Sequence, residues 1–574
     1  MSVNRKQKLE LTWIGKENRA RLEPRILLED PELSYHAAQR VTENDVFDNR
    51  LICGDNLLAL KALEKEFANR IKCIYIDPPY NTGKAFEHYD DSIEHSIWLG
   101  FMRDRLAMLR RLLRADGFIC CHIDDSEGPY LKVLMDEVFG RSNYLTTFFI
   151  QVRYPSKTLT QDMAYHKEVE QVHIYRKEYG AVPNLNQADT SFDKFRYYVQ
   201  EKAPGRLIEL GGKRVFVFSQ DEYEIIAGEG SENGLKEIWA SGAILDGNSS
   251  GRFFRDYLQG RTSSDGLGVL YKVERIGSDK FGYRYFTGPK RASATKGKYY
   301  QGVPLDQLEN PEDKQLSPIE NFYDLAAQFG NCRNEGGVEF RSGKKPEKLL
   351  EIVLRHFSNA GDWVLDSFAG SGTTGAVAHK MRRHWIQVEL REHCYTHIVP
   401  RIQSVINGRD ETGITEAVGW HGGGGFRFYR LAPSLLEKDK WDNWVINKEY
   451  NAAMLAEALC KLEGFTYAPS DAIYWQHGHS TERDFIYVTT AHLTHDQLQQ
   501  LSEEVGAECT LLVLCTAFRA RADQFTNLTV KKIPKTVLSR CEWGHDDYSL
   551  QVENLPQAPP EPGQGDLFSE EAAQ

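Results

Sequence analysis

Apolar positions along this chain recur in two ways. Short continuous runs, as in RLIC at 50–53, IKCIYI at 71–76, FICCHI at 118–123, WVLD at 363–366 and HWIQVEL at 384–390, have the length of buried strands. Helical spacing lies between them. Within 92–114, Trp98, Phe101, Met102, Leu106, Leu109, Leu112 and Leu113 repeat on one face, and Gly117 follows as a stop signal. The stretches after Asp55 and after Gly372 likewise read as helices entered from a glycine turn. Strands alternating with helices predict an α/β fold with a doubly wound parallel sheet, whose ligands sit at the carboxyl ends of its strands.

Composition narrows the class. The chain has 574 residues, 41% hydrophobic and 26% charged, with a net charge of −12. At roughly 150 residues per domain this predicts three or four domains of a soluble globular protein. No apolar run approaches the ~18 residues of a membrane span. The first residues carry scattered charges and no apolar segment, so neither a signal peptide nor an anchor is expected, and the expected address is the cytoplasm. The ten cysteines form no C-x-x-C pair, so no metal site is expected and the thiols read as free and buried.

An acidic total argues against a general polyanion binder, but the charge is uneven. Residues 251–300 hold eleven Lys or Arg against four Asp or Glu, whereas 151–250 hold twelve against fifteen. In the basic stretch Arg284, Lys290, Arg291, Lys296 and Lys298 lie among Tyr283, Tyr285, Phe286, Tyr299 and Tyr300. Cations interleaved with rings suit phosphate contact and base stacking. Beyond residue 431 the segments RDFIYVTT, LTHDQLQQLSEEVG, TLLVLC and NLTVKKIP read as a small α/β domain. The last residues, 554–574, are Pro-rich without Lys or Arg and read as a disordered tail.

Two motifs carry chemistry. Asp366, Phe368, Gly370, Gly372, Thr373 and Thr374 form a turn between a strand and a helix, and with Gly375 the glycines fit G-x-G-x-x-G. Backbone without Cβ admits a ligand closely there, and Glu389, ending the next strand, could hold ribose hydroxyls. The turn by itself indicates only a nucleoside-containing cofactor. The second motif, Asp77-Pro78-Pro79-Tyr80, ends a strand in a stiff turn, because consecutive prolines cannot continue a central ladder. A carboxylate and a carbonyl there can each accept a hydrogen from an aromatic amine and free its lone pair for attack. Tyr80 supplies a ring for stacking an extruded base.

Together these motifs resemble the amino-directed DNA methyltransferases that use S-adenosylmethionine. The catalytic motif at 77–80 precedes the cofactor motif at 366–374, the order of the β group of that family. The resemblance implies a Rossmann-like methyltransferase sheet with an inserted target-recognition domain and a small C-terminal α/β domain. It assigns Asp55 to the cofactor adenine, Glu389 to the ribose and Lys345, before the helix in KKPEKLLEIVLRHF, to the methionine end; Asn81, Thr82 and Gly83 extend the catalytic loop. Asp at position 77 favours adenine N6 over cytosine N4.

The insert, the GGGGFRFYRL stretch and the long extension resemble the modification subunit of type III restriction systems. That implies double-stranded DNA as substrate, a homodimer and a separate ATP-hydrolysing restriction subunit, since this chain has no Walker motif. The expected organisation is an N-terminal arm at 1–45, catalytic part at 46–180, DNA-reading domain at 181–330, cofactor part at 331–430, partner or dimer domain at 431–553 and tail at 554–574. A hydrolase built on Ser249 and His421 lacks a strand-to-helix elbow. A NAD-dependent dehydrogenase leaves the Asp77–Tyr80 turn unexplained. The non-enzyme alternative is a silent DNA-binding subunit.

Overall fold

Strands Leu27–His36 (β1), Asn49–Cys53 (β2), Ile71–Ile76 (β3), Leu113–Ile123 (β4), Tyr144–Gln151 (β5), Val169–Arg176 (β6), Phe322–Asp324 (β7), Trp363–Asp366 (β8), His384–Glu389 (β9) and Gly425–Leu431 (β10) make one ten-stranded sheet. Its order is β1-β10-β2-β9-β8-β3-β4-β6-β5-β7. Pairing is parallel from β10 through β4, and antiparallel where β6 meets β4 and β1 meets β10. Every residue of β3 is buried, as a central strand covered on both faces requires.

This computed structural model describes residues 10–550 except 81–90, 156–164, 188–190, 241–248, 292, 306–307, 309–315, 341–342, 391, 520, 522–523, 534–536 and 539. It divides into two units, Met1–Asn184 with Glu320–Gln574, and Leu185–Ile319. The inserted unit is therefore shorter at both ends than the expected 181–330.

Helices Asn56–Phe67 (α1), Asp91–Leu112 (α2), Glu347–Phe357 (α3) and Thr373–Lys380 (α4) cover the parallel strands. Leu57, Leu60 and Leu63 of α1 and Leu106 and Leu109 of α2 join Ile74 and Ile76 in the main core. Asp55 starts α1 by accepting the backbone N–H groups of Leu57 and Leu58, a cap worth about 1 kcal/mol. Helix α2 stops at Leu112, short of the expected 114, because Leu113 already pairs with Ile71 in the sheet. Gly117 is then no helix stop. It lies within β4, where a Cβ would come 2.9 Å from the carbonyl oxygens of Arg114 and Ile71.

The expected N-terminal arm is part of the same unit: β1 is the sheet edge, and the buried Glu23 and Arg25 bond to Ser434, Leu435 and Ala432. The C-terminal segments form α/β elements, but they belong to the larger unit and share a core with Ile26. Thr466–Tyr467, Gly478–His479, Asp484–Thr494, Thr510–Arg519 and Leu528–Lys532 form a five-stranded sheet with helices Ala452–Glu463 and His495–Val505. A capping box between Thr494 and Gln497 sets the start of the latter. The expected tail at 554–574 lies outside the described residues.

The inserted unit is an antiparallel six-stranded sheet, Lys236–Trp239, Lys298–Gln301, Tyr283–Thr287, Leu270–Glu274, Lys213–Phe218 and Arg206–Leu210 in spatial order. Val215, Phe254, Tyr271, Val273, Phe286 and Tyr299 fill its core. Among the described residues, no helix is long and apolar enough to cross a membrane.

Candidate active site

Because β2, β9, β8 and β3 are neighbours and parallel, their carboxyl ends bring Asp55, Glu389, Asp366 and Asp77 to one edge of the sheet. Four acidic residues distant in sequence thus share the place where such folds bind ligands.

The turn after β8 is tied down by its own side chains. Asp366 Oδ1 accepts the Phe368 N–H at 2.9 Å and Oδ2 accepts the Thr374 hydroxyl at 2.6 Å. Burial pushes the Asp366 carboxyl up to about 7, against the Thr374 and Phe368 bonds that lower it. Glu389 Oε2 takes the Gly370 N–H at 2.7 Å, and burial raises this carboxyl too. Gly372, the residue before α4, has φ 78°, a conformation that favours glycine. Gly375 serves packing, since a Cβ there would lie 2.2 Å from Gln387 Oε1 on β9. Arg401 buttresses the turn from behind, donating to Thr373 Oγ1 at 2.8 Å and to Glu347 at 2.8 Å.

A cavity of about 350 Å³ opens beside the turn, lined by Asp55, Phe101, Phe368 and Glu389 together with Pro79 and Leu550. Two aromatic rings, a ribose-competent carboxylate and the buried Ser367 hydroxyl, which has no hydrogen-bond partner, suit an adenosyl group. Asp55 belongs to this wall, but its carboxylate is engaged. Oδ1 caps α1, while Oδ2 takes the Tyr548 N–H at 2.9 Å and Arg105 at 3.4 Å.

Asp77, Pro78, Pro79 and Tyr80 leave β3 beside this cavity. The Trp98 indole donates to the Pro79 carbonyl at 3.0 Å and pins the turn. Tyr80 donates its hydroxyl to Asp77 Oδ1 at 2.9 Å. Lys345, which the resemblance assigned to the methionine end, reaches the Asp77–Tyr80 turn: its Nζ lies 2.8 Å from the Tyr80 oxygen, 3.0 Å from Glu170 Oε2 and 3.4 Å from Asp77 Oδ1. Glu170 is also 2.7 Å from His122 Nε2, whose Nδ1 meets the Tyr75 hydroxyl at 2.7 Å.

Burial works to raise the Glu170 carboxyl, yet His122 and Lys345 hold it well below its usual range. Burial likewise works to lower Lys345, and the Asp77 and Glu170 charges raise it instead. Burial next to Asp77 and Glu170 drives the Tyr80 phenol far upward, so Tyr80 is neutral. Sequence reading did not single out Tyr75, His122 or Glu170. Their signal was position alone, since Glu170 on β6 faces the end of β3 only after the antiparallel β4–β6 pairing is known. Asn81, Thr82 and Gly83 lie outside the described residues.

The inserted unit brings Lys290, Arg291, Lys296 and Lys298 around a separate cavity of about 580 Å³, with Trp239 on its wall. Lys298 pairs with Glu237 at 2.6 Å and sits 4.9 Å from the Trp239 ring centre. Arg284 departs from the expectation of a surface cation: it is buried on its strand, donates to Gln301 Oε1 at 2.8 Å and lies 3.7 Å from Asp279. Both faces of Tyr283–Thr287 are covered from Arg284 onward, so the guanidinium is enclosed beside the Tyr299 ring rather than turned to solvent. Tyr285, Phe286, Tyr299 and Tyr300 are also buried, and Trp239 is the large exposed ring at this cavity.

Comparison with known proteins adds the family. A family model described as DNA methylase matches residues 71–400. The "Probable type III restriction-modification enzyme HindVI Mod subunit" of Haemophilus influenzae is 31% identical over 436 residues, covering 69% of this chain and 55% of that protein. The type III restriction-modification enzyme EcoPI Mod subunit of Escherichia phage P1 is 27% identical over 423 residues, covering 65% and 61%. The EcoP15I Mod subunit of Escherichia coli is 26% identical over 508 residues, covering 76% and 73%. The chain spans between about half and three quarters of these relatives' lengths.

Proposed function

The chain belongs to the DNA methylase family, and from that premise we propose that it transfers a methyl group from S-adenosylmethionine to the N6 amine of adenine in double-stranded DNA. Its proposed role is the modification subunit of a type III restriction-modification system. The observation that carries this reading is the placement of Asp77–Tyr80 and the Asp366 turn on adjacent parallel strands, β3 and β8. Acceptors for an amine and a cradle for a nucleoside cofactor therefore open on one edge. The Mod subunits among its relatives support the system.

The cofactor supplies an electrophilic methyl carried on a sulfonium. Asp77 and the Pro78 carbonyl accept the two amine hydrogens, which localises the nitrogen lone pair, and the Tyr80 ring stacks the base. As the amine gains positive charge, the carboxylate and carbonyl dipoles favour the transition state. Asp77 is the nearest acceptor for the proton that the methylated amine sheds. No covalent intermediate is needed, and no Pro-Cys pair exists for cytosine-C5 chemistry. Behind Lys345 and Glu170 a cavity of about 440 Å³, lined in part by Tyr154, Phe329 and Phe340, supports extrusion of the base from its duplex.

Lys290, Arg291, Lys296 and Lys298 of the inserted unit contact the DNA backbone. In this reading the protein works in the cytoplasm as a homodimer and is joined by a separate restriction subunit. Expression of the chain alone in a methylation-free host, with long-read mapping of modified bases, tests the assignment. N6-methyladenine at one short motif, on one strand only and absent with Asp77→Ala, is the expected result. An unmodified genome in the presence of soluble protein would sink it.

A further inference from the structure

The cavity beside the Asp366 turn has a wall that comes from far outside the matched region. Ser549 and Leu550 line it alongside Asp55, Phe368 and Glu389, whereas the family match ends at residue 400. Leu550 and Tyr548 pack against the main core, the one that also holds Leu57 and Trp98.

Residues 545–550 are fastened at two points. Arg25, itself 1% exposed, donates to the His545 carbonyl at 2.9 Å and pairs with Asp546 at 2.6 Å. Further along, the Tyr548 N–H donates to Asp55 Oδ2 at 2.9 Å, and Arg105 donates to the Tyr548 carbonyl at 3.0 Å. Arg105, also 1% exposed, holds Asn56 Oδ1 at 2.6 Å through Nε. One buried arginine thus links α2, the start of α1 and the strap. Its charge is compensated on the spot by Asp55 at 3.4 Å. A loose end lying on the surface would not be held by two buried guanidinium groups, whose desolvation requires several fixed acceptors.

We infer that residues 545–550 form a built-in strap completing the adenosyl end of the cofactor cavity, with Leu550 as an apolar wall and Asp55 as its anchor. The inference rests on the S-adenosylmethionine reading of this cavity. Asp55, which the resemblance assigned to the cofactor adenine, then acts chiefly through the strap: one carboxylate starts α1 and docks Tyr548. The strap deepens the cavity on the side of Asp55 and Phe101 and excludes water from it. Its bonds run to Arg25, Asp55 and Arg105 rather than to the Asp77–Tyr80 turn, so its effect is on cofactor affinity rather than on the chemical step.

Titration calorimetry of the full chain with S-adenosylmethionine and S-adenosylhomocysteine, beside Leu550→Ala, Leu550→Met and a deletion of residues 545–574, tests this. Expected are affinities lower by about tenfold for Leu550→Ala and the deletion, for both ligands alike, and recovery with Leu550→Met. Melting curves without ligand identify a deletion that fails to fold, in which case Leu550→Ala decides. Wild-type affinity in Leu550→Ala overturns the strap's role. Tighter binding after deletion also overturns it, making the segment an obstruction. A folded wild-type chain that binds neither ligand overturns the cofactor reading, and the strap with it.

Discussion

Lys345 stands 3.4 Å from Asp77 and 3.0 Å from Glu170, a buried cation between two carboxylates brought from β3 and β6. Placed there, it neutralises a like-charge pair and offers Tyr80 a donor at 2.8 Å. Removing it takes away one of the two charges that hold the Glu170 carboxyl down, so Glu170 takes up a proton more readily. Lys345→Met is therefore expected to slow methylation at pH 7 by on the order of 10²-fold while cofactor affinity changes little. The acid limb of its pH–rate profile should move to higher pH. Single-turnover rates across pH, with parallel cofactor titrations, are the measurement. A large loss of affinity at unchanged rate would return Lys345 to the cofactor.

Asp77 makes the complementary case. Its carboxylate, the proposed acceptor of the amine, already takes the Tyr80 hydroxyl. Asp77→Ala should abolish methylation to within detection, at least about 10³-fold, and leave S-adenosylmethionine binding within about twofold of wild type. Turnover close to wild type would remove the residue from the mechanism.

Much of this site was legible in the chain because both motifs sit where an apolar strand meets a turn, and the order of strands then brings Asp77 and Asp366 together. What could not be read depends on pairing between distant segments. Arg284 looked like a surface cation among rings, but its strand is covered on both faces from there onward, which encloses it beside Tyr299 and Gln301. Glu170 and His122 needed the β4–β6 pairing to meet. The strap at 545–550 needed the whole C-terminal fold to return to the start of α1. Helical spacing likewise ran past Leu112 because a period of 3.6 does not register that Leu113 has a partner in Ile71.

The burial of Arg284 separates two kinds of basic residue in the inserted unit. Lys290, Arg291 and Lys296 are exposed around one cavity. Each exposed Lys or Arg changed to Ala is expected to lower the slope of log affinity for DNA against log salt by about 1, with no change in melting temperature. Arg284→Ala should leave that slope alone and lower the melting temperature by several degrees, on the order of 2 kcal/mol, because the buried Asp279 then loses its cation and keeps the Phe281 and Gly302 N–H groups. Equal salt slopes for wild type and a variant with Lys290, Arg291 and Lys296 all changed to Ala would take this cavity out of the DNA interface.

Proton uptake at Asp366 gives a test of the cofactor turn that needs no DNA. Burial raises this carboxyl from its ordinary 3.8 to about 7, so the folded protein binds its proton more tightly than the unfolded chain does. Its contribution to stability is therefore full below about pH 4 and is lost as pH rises through about 7. In the cofactor-free protein, Asp366→Asn should raise the melting temperature relative to wild type at pH 8, and much less at pH 5. Cofactor binding reverses the balance. A sulfonium and an ammonium brought near the turn favour the ionised carboxyl, so binding at pH 7 should expel a fraction of a proton. The calorimetric enthalpy would then scale with the ionisation enthalpy of the buffer, and that dependence should vanish in Asp366→Asn. Equal enthalpies in phosphate and Tris for the wild type would mean that Asp366 only shapes the turn and does not meet the positive end of the cofactor.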